Sequence, residues 1–181
     1  AKSVEKAGNY LLSLINNILD ITRIESKKLD IIEEKFSLRQ LVQEVCLIGA
    51  KQAEAKNLEF VVDVEETLPK YLEGDALHIK QVILNLINNA VKYTKKGKVF
   101  LKVCQEEKQI SFSVKDTGIG IKKEDMEALF DMFMRADIKR HRNIEGSGLG
   151  LTIAKELCEQ MGGHIQAESI YGKGSNFTVY F

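Results

Sequence analysis

The sequence has no surplus of either charge: 26 lysines and arginines stand against 26 aspartates and glutamates in 181 residues. Without a positive excess to displace counterions, it does not read as a chain built mainly to bind nucleic acid. The local basic stretches KYTKKGK (92–98) and KRHR (139–142) read first as solvated loops. Cysteine is sparse. Cys46, Cys104 and Cys158 lie far apart without a CxxC pair, which fits a reducing compartment rather than a disulfide framework. His78, His141 and His164 lack ligand spacing, so no structural zinc is expected. There is no secretory signal, and no apolar run reaches the ~18 residues of a membrane helix. The chain is therefore expected to be soluble and cytoplasmic.

What is present suits one sizeable domain with a small appendage: 44% apolar and 29% charged residues is ordinary for a globular protein. The sequence opens on a small polar stretch without an initiator methionine, which reads as part of a longer protein. Over 4–28, Leu11, Leu14, Ile18 and Ile21, with Leu12, Ile15 and Leu19, make a wide apolar helix face. Asn9, Ser13, Asn16, Asp20, Arg23 and Lys27 line the other side, so this helix needs a partner, most simply in a bundle.

An extended connector, LDIIEEKF, follows. Ser37 with Gln40 fits a capping box and Phe36 with Leu41 a hydrophobic staple, predicting a helix to about residue 56. LEFVVDVEE (58–66) reads as a strand, with the only proline, Pro69, in the loop after it. Asp75 caps a helix predicted to reach Tyr93, and two antiparallel strands follow around QEEK. EDMEALFDMF (124–133) reads as a short helical stretch, and LTIAKELCEQM as a helix stopped by Gly162 and Gly163. Two strands around Gly-Lys-Gly close the chain. The expected class is α+β: a two-layer α/β sandwich with a mixed, mainly antiparallel sheet and helices on one face. An N-terminal bundle helix precedes it, with the boundary between 1–30 and 31–181.

The chemistry lies in an ordered set: NLINNAVKYT (85–94), DTGIGI (116–121), LFDMFMRAD (129–137), GSGLGL (146–151) and GKGSNFTV (172–179). Asn85 and Asn89 are four apart on one helical face, with Lys92 close to the same stripe. Amide oxygens are hard ligands that suit Mg²⁺, an ion that keeps waters and takes phosphate oxygens. Asp116 ends a strand, where its carboxylate can accept from an exocyclic amino group, and Gly118 and Gly120 let the backbone come close to a ligand. GSGLGL opens a helix whose free N–H groups attract phosphate. It neither follows a strand nor carries a Walker lysine-serine pair, so Rossmann and P-loop readings do not fit.

In this order the set resembles the catalytic and ATP-binding domain of bacterial sensor histidine kinases. These belong to the superfamily that includes DNA gyrase, the MutL repair proteins and the ninety-kilodalton heat-shock chaperones, with its Bergerat-type fold. NLINNAVKYT resembles the N box, DTGIGI and GSGLGL the two glycine boxes, and LFDMFMRAD the F box. The first segment resembles the second helix of the dimerisation and phosphotransfer domain with its linker. The resemblance implies ATP and Mg²⁺ as cofactors, with Asn89 on the metal and Asn85 and Lys92 as catalytic residues at metal and phosphate. It implies Tyr93 against base or ribose, and Asp116 reading the adenine amino group in a pocket shaped by Gly118 and Gly120. Gly146, Gly148, Leu149 and Gly150 belong to the lid and phosphate turn. Arg135 is implied at the γ-phosphate and Thr178 at adenine through water.

The implied function is transfer of the ATP γ-phosphate to a histidine, for relay to the receiver domain of a response regulator. The implied parent is a homodimer through its dimerisation helices. The departure concerns the acceptor. The family's histidine sits in a His-Glu or His-Asp pair, whereas His78 is followed by Ile79, His141 by Arg142 and His164 by Ile165. His78 also stands where these kinases often carry arginine. The chain is expected to bind ATP without phosphorylating itself, and a membrane anchor in the parent stays open. A same-fold ATPase or anti-sigma-type serine kinase is the alternative, though Asn85 stands where hydrolytic branches carry glutamate. A non-catalytic nucleotide sensor is the third reading. The string LINN occurs at 14–17 and at 86–89, and only the second copy has this setting; Asn17 is expected to be a solvated or bundle-edge amide, Asn89 to hold a metal.

Overall fold

The computed structural model describes residues 30–131 and 148–181, together with Gly8, Leu11, Ile15, Leu19 and Thr22 of the first segment. Those five are helical, and Leu11, Ile15 and Leu19, spaced by four, are exposed. The rest of the expected bundle helix lies outside the described residues, as does Asn17.

The chain enters the domain as β1 (Glu34–Ser37), which pairs antiparallel with β3 (Tyr71–Gly74). Neither strand was legible in the sequence, because each is only four residues long. Between them come α1 (Leu38–Glu54) and β2 (Glu59–Val64). The Ser37 hydroxyl accepts from the Gln40 N–H at 3.3 Å, as the cap requires, but the Gln40 side chain turns to Glu44 instead of closing the box.

The remaining elements are α2 (Ala76–Tyr93), β4 (Lys98–Glu106), β5 (Gln109–Asp116), α3 (Gly150–Gln160), β6 (His164–Ile170) and β7 (Gly174–Tyr180). The sheet runs β2-β4-β5-β7-β6, antiparallel except for the parallel β2–β4 pair. The expected mixed sandwich is the fold observed. The predicted helical stretch at 124–133 differs over its described part, 124–131: a single 3-10 turn, Lys123–Asp125, is followed by turns up to residue 131, and residues 132 and 133 lie outside the described residues. Among the described residues no helix is long and apolar enough to cross a membrane.

The core lies between one sheet face and the helices. Val99, Leu101 and Val103 of β4, Phe112 and Val114 of β5, and Phe177 and Val179 of β7 meet Val45, Ile83, Leu86, Ile87, Ile153 and Leu157. Each such side chain contributes about 1.5–3 kcal/mol on burial. Strand alternation sends the intervening residues, among them Lys102, Ser113 and Thr178, to the opposite, helix-free face. Helix α2 packs against both α1 and α3, which holds its polar stripe in a fixed place above the sheet.

Candidate functional site

Helix α2 carries the first group. Its start is fixed by Asp75, whose Oδ1 accepts from the His78 N–H at 3.0 Å. Its inner face buries Val82, Ile83, Leu86, Ile87 and Ala90 completely or nearly so. Asn85, Asn89 and Lys92 are therefore held half-buried at the margin of the core, while Asn88 points to solvent. The helix ends on two side-chain contacts that the sequence did not announce. The Thr94 hydroxyl donates to the Ala90 carbonyl at 2.7 Å, and Lys56 Nζ donates to the carbonyls of Val91 and Lys92, both at 3.0 Å. Lys92 Nζ itself lies 4.7 Å from the centre of the Tyr93 ring.

The second group is the loop after β5. Asp116 is 4% exposed, and its Oδ1 accepts from the Gly118 N–H at 2.7 Å. Burial pushes this carboxyl up from the usual aspartate value, and the N–H groups of Gly118 and Ser175 offset only part of that. Gly118 is required by space: a Cβ there would lie 2.5 Å from the Tyr93 carbonyl and 2.8 Å from Asp116 Oδ1. Gly120 is required by both conformation and space, with φ +64° and the Ile170 carbonyl 2.2 Å from where a Cβ would sit. Hydrogen bonds from Ile119 N–H to Tyr93 O and from Gly172 N–H to Ile119 O clamp the loop between α2 and the β6–β7 turn.

The third group opens α3. Leu149 is buried and Gly150 is the first helical residue; the N-cap position is held by Leu149, whose apolar side chain makes no cap hydrogen bond. Gly148 has φ +75°, a left-handed conformation that glycine adopts without penalty. A Cβ on Gly150 would lie 3.9 Å from the side-chain nitrogen of Asn89. The first-turn N–H groups of α3, the amide of Asn89 and the buried carboxylate of Asp116 thus belong to one region, with α2 running between them.

Two expected residues, Arg135 and Gly146, lie outside the described residues. Thr178 is described and is not brought to this region. It lies on the helix-free face, its hydroxyl 3.1 Å from that of Ser113, in a cleft with Lys102, Glu106 and Glu168. The residue of β7 on the Asp116 side is Ser175, whose backbone N–H favours the ionised form of that carboxylate. Counting back by two from the buried Phe177 finds Ser175 and excludes Thr178.

A family described as histidine kinase-, DNA gyrase B-, and HSP90-like ATPase matches residues 74–181. The chain belongs to this ATPase family. The match begins at the residue before Asp75 and takes in all three groups of the site. The chain is 42% identical to the sensor protein GacS of Pseudomonas syringae pv. syringae, over 98% of its own length and 20% of that protein's. It is 40% identical to the sensory/regulatory protein RpfC of Xanthomonas campestris pv. campestris, over 97% of its own length and 25% of that protein's. It thus spans a quarter or less of these relatives. Among solved structures it is similar to full-length ShkA in complex with AMPPNP, with a TM-score of 0.86 at 28% identity, covering 99% of this chain and 37% of that one. The likeness to sensor histidine kinases drawn from the boxes holds, and it extends N-terminally of the ATPase match into the first segment.

Proposed function

We propose that the chain binds ATP with Mg²⁺ along α2 and serves as the catalytic, ATP-binding part of a two-component sensor histidine kinase. The observation that carries this reading is the approach of Asn89 to the start of α3, with Asp116 buried near the other side of the same helix end. The nearly buried Asp116 carboxylate, oriented by the Gly118 N–H, accepts the adenine amino group. The first-turn N–H groups of α3 receive phosphate oxygens. Among the described residues no group of three or more His, Cys, Asp or Glu is placed to hold a metal. The two half-buried amides of Asn85 and Asn89 present hard oxygen donors that fit Mg²⁺, which takes its other ligands from phosphate and water. Asn89 would hold it, with Asn85 beside it, and the ion would supply charge neutralisation at the β- and γ-phosphates.

Phosphoryl transfer needs little covalent help from the protein; it needs position and compensated charge. Asp116 and Tyr93 fix the base, Lys92 lies toward the phosphates, and the γ-phosphoryl is left for an incoming imidazole nitrogen. In the parent this is a histidine of the dimerisation helices, the P–O bond to ADP breaks as the P–N bond forms, and the phosphoryl passes on to a response-regulator aspartate. Dimerisation through the first segment and the receiver domain as partner belong to the same proposal. Calorimetry with ATP, with and without Mg²⁺, tests it: the expected result is Mg²⁺-strengthened binding lost in Asn89→Ala. No binding, or binding indifferent to Mg²⁺ and to that substitution, overturns the site. Supplying a dimerisation domain with its histidine and assaying acid-labile phosphate separates a kinase from a nucleotide sensor.

A further inference from the structure

Antiparallel pairing of β1 with β3 ends at the rung Glu34↔Gly74. Beyond it the chain entering the domain, residues 30–33, runs beside the start of α2, and a side chain takes over from the backbone. Asp75 Oδ2 accepts from the Ile32 N–H at 3.0 Å and lies 2.7 Å from His78 Nδ1, while Oδ1 accepts from the His78 N–H at 3.0 Å. One carboxylate thus holds three donors, two from α2 and one from the entering segment. It is 5% exposed, and the His78 side chain 16%.

Capping a helix needs one acceptor oxygen, and serine, threonine or asparagine supplies it as well as aspartate does. A buried carboxylate is a costly way to cap unless its second oxygen is also satisfied. Here that second oxygen joins α2 to the incoming chain. The Ile32 side chain is 60% exposed and only Ile31 beside it is partly buried, so the tie to Asp75 is the specific polar attachment of this segment. The other half of α2 carries Asn85, Asn89 and Lys92. A single packed helix of 18 residues therefore has the entering segment at one end and the candidate nucleotide site at the other.

We infer that Asp75 is a positioning residue that couples occupancy of the nucleotide site to the segment entering the domain. The inference rests on the ATP-site reading above. It adds that α2 is a rigid element biased from both ends, so nucleotide tightens the hold on Ile32, and that hold in turn tightens nucleotide by the same factor. The tie stands at the entry to the domain, on the N-terminal side of α2.

Asp75→Asn is the selective variant. Asparagine keeps an oxygen for the His78 N–H but sets an NH₂ donor against the donors at Ile32 and His78, so the cap survives and the tie does not. Amide hydrogen exchange is followed at Ile32 in the whole chain, with and without AMPPNP and Mg²⁺, and nucleotide affinity is measured by calorimetry. In the wild type, nucleotide slows exchange at Ile32 by about fivefold, within the usual range of site-to-site coupling. In Asp75→Asn, Ile32 exchanges faster without nucleotide and no longer responds to it, and affinity falls by no more than that same factor. Ser37→Ala, which removes the cap of α1, lowers stability yet leaves the nucleotide response at Ile32 intact. Calorimetric binding with no change at Ile32, or an unaltered response in Asp75→Asn, overturns the coupling alone. No calorimetric binding to the wild type overturns both the coupling and the ATP-site reading.

Discussion

The side-chain nitrogen of Asn89 lies 3.9 Å from the point where a side chain on Gly150 would begin, so the N box and the second glycine box, separated in sequence by the whole β4–β5 hairpin, meet in the fold. Asn89 is half-buried and Asn88 exposed on the same helix. Asn89→Ala is expected to weaken ATP binding in Mg²⁺ by about tenfold or more, the ~1.4 kcal/mol of one good charge-assisted contact. Without Mg²⁺ the loss is smaller, and the melting temperature stays close to that of the wild type. Asn88→Ala leaves both affinities unchanged. Equal losses from both substitutions, read by calorimetry, contradict the placement.

The glycines of the DTGIGI loop separate two kinds of requirement. Gly118→Ala drives a methyl into the Tyr93 carbonyl and the Asp116 carboxylate, at 2.5 and 2.8 Å, neither of which can swing aside freely. Thermal unfolding is expected to report a loss of about 1–3 kcal/mol from overpacking, together with weaker nucleotide binding. Gly162 has φ +77° but open space around it. Gly162→Ala therefore carries only the left-handed backbone penalty, ~1 kcal/mol, with nucleotide affinity unchanged.

The sequence carried most of the architecture because most elements are long and periodic. The caps at Ser37 and Asp75, α2, the β4–β5 hairpin and the closing strands all follow from local pattern. What it did not show is non-local. Strands β1 and β3 exist only because they find each other, Leu38 N–H meeting Lys70 O at their edge. Asp75 read as a cap, and nothing local reveals its third donor, 43 positions away. Thr178 was placed by motif rather than by face, and strand alternation assigns it to the far side of the sheet.

Lys56 follows α1 and closes α2, with Nζ 3.0 Å from the carbonyls of Val91 and Lys92. The last carbonyls of a helix have no partner within it, and a cation there also meets the negative end of the helix dipole. Burial and the nearby Lys92 charge both lower the pKa of this ammonium, so the contact is held against some electrostatic resistance. Lys56→Met is expected to lower stability by about 1 kcal/mol and to loosen the turn that bears Lys92 and Tyr93. Amide exchange at Tyr93 and Thr94 should quicken more than exchange at Val82. Uniform quickening along α2 speaks against a local closing role.

Two aspartates at opposite ends of α2 should respond to acid in opposite directions. For Asp75, burial alone raises the pKa, but the His78 and Ile32 donors outweigh it and the net shift is downward. Its folded pKa lies below its unfolded one, so its stabilisation is present above the unfolded value and lost as pH falls through the folded value. For Asp116, burial dominates and the shift is upward. Its folded pKa exceeds the unfolded one, so the ionised carboxylate destabilises the fold above the folded value, and that penalty is relieved as pH falls through it. Nucleotide binding opposes that preference, because an adenine amino group donates a stronger, charge-assisted hydrogen bond to the ionised carboxylate than to the neutral acid. ATP affinity should therefore decline as pH drops through the raised Asp116 value, while the unliganded Asp116 site itself gains stability. Asp116→Asn removes this titration: at neutral pH the variant should be at least as stable as the wild type, yet bind ATP at least about tenfold more weakly, as expected for a site that loses a charged hydrogen bond. Calorimetry across mildly acid pH checks this, and a wild-type affinity as flat with pH as that of Asp116→Asn removes Asp116 from the adenine contact.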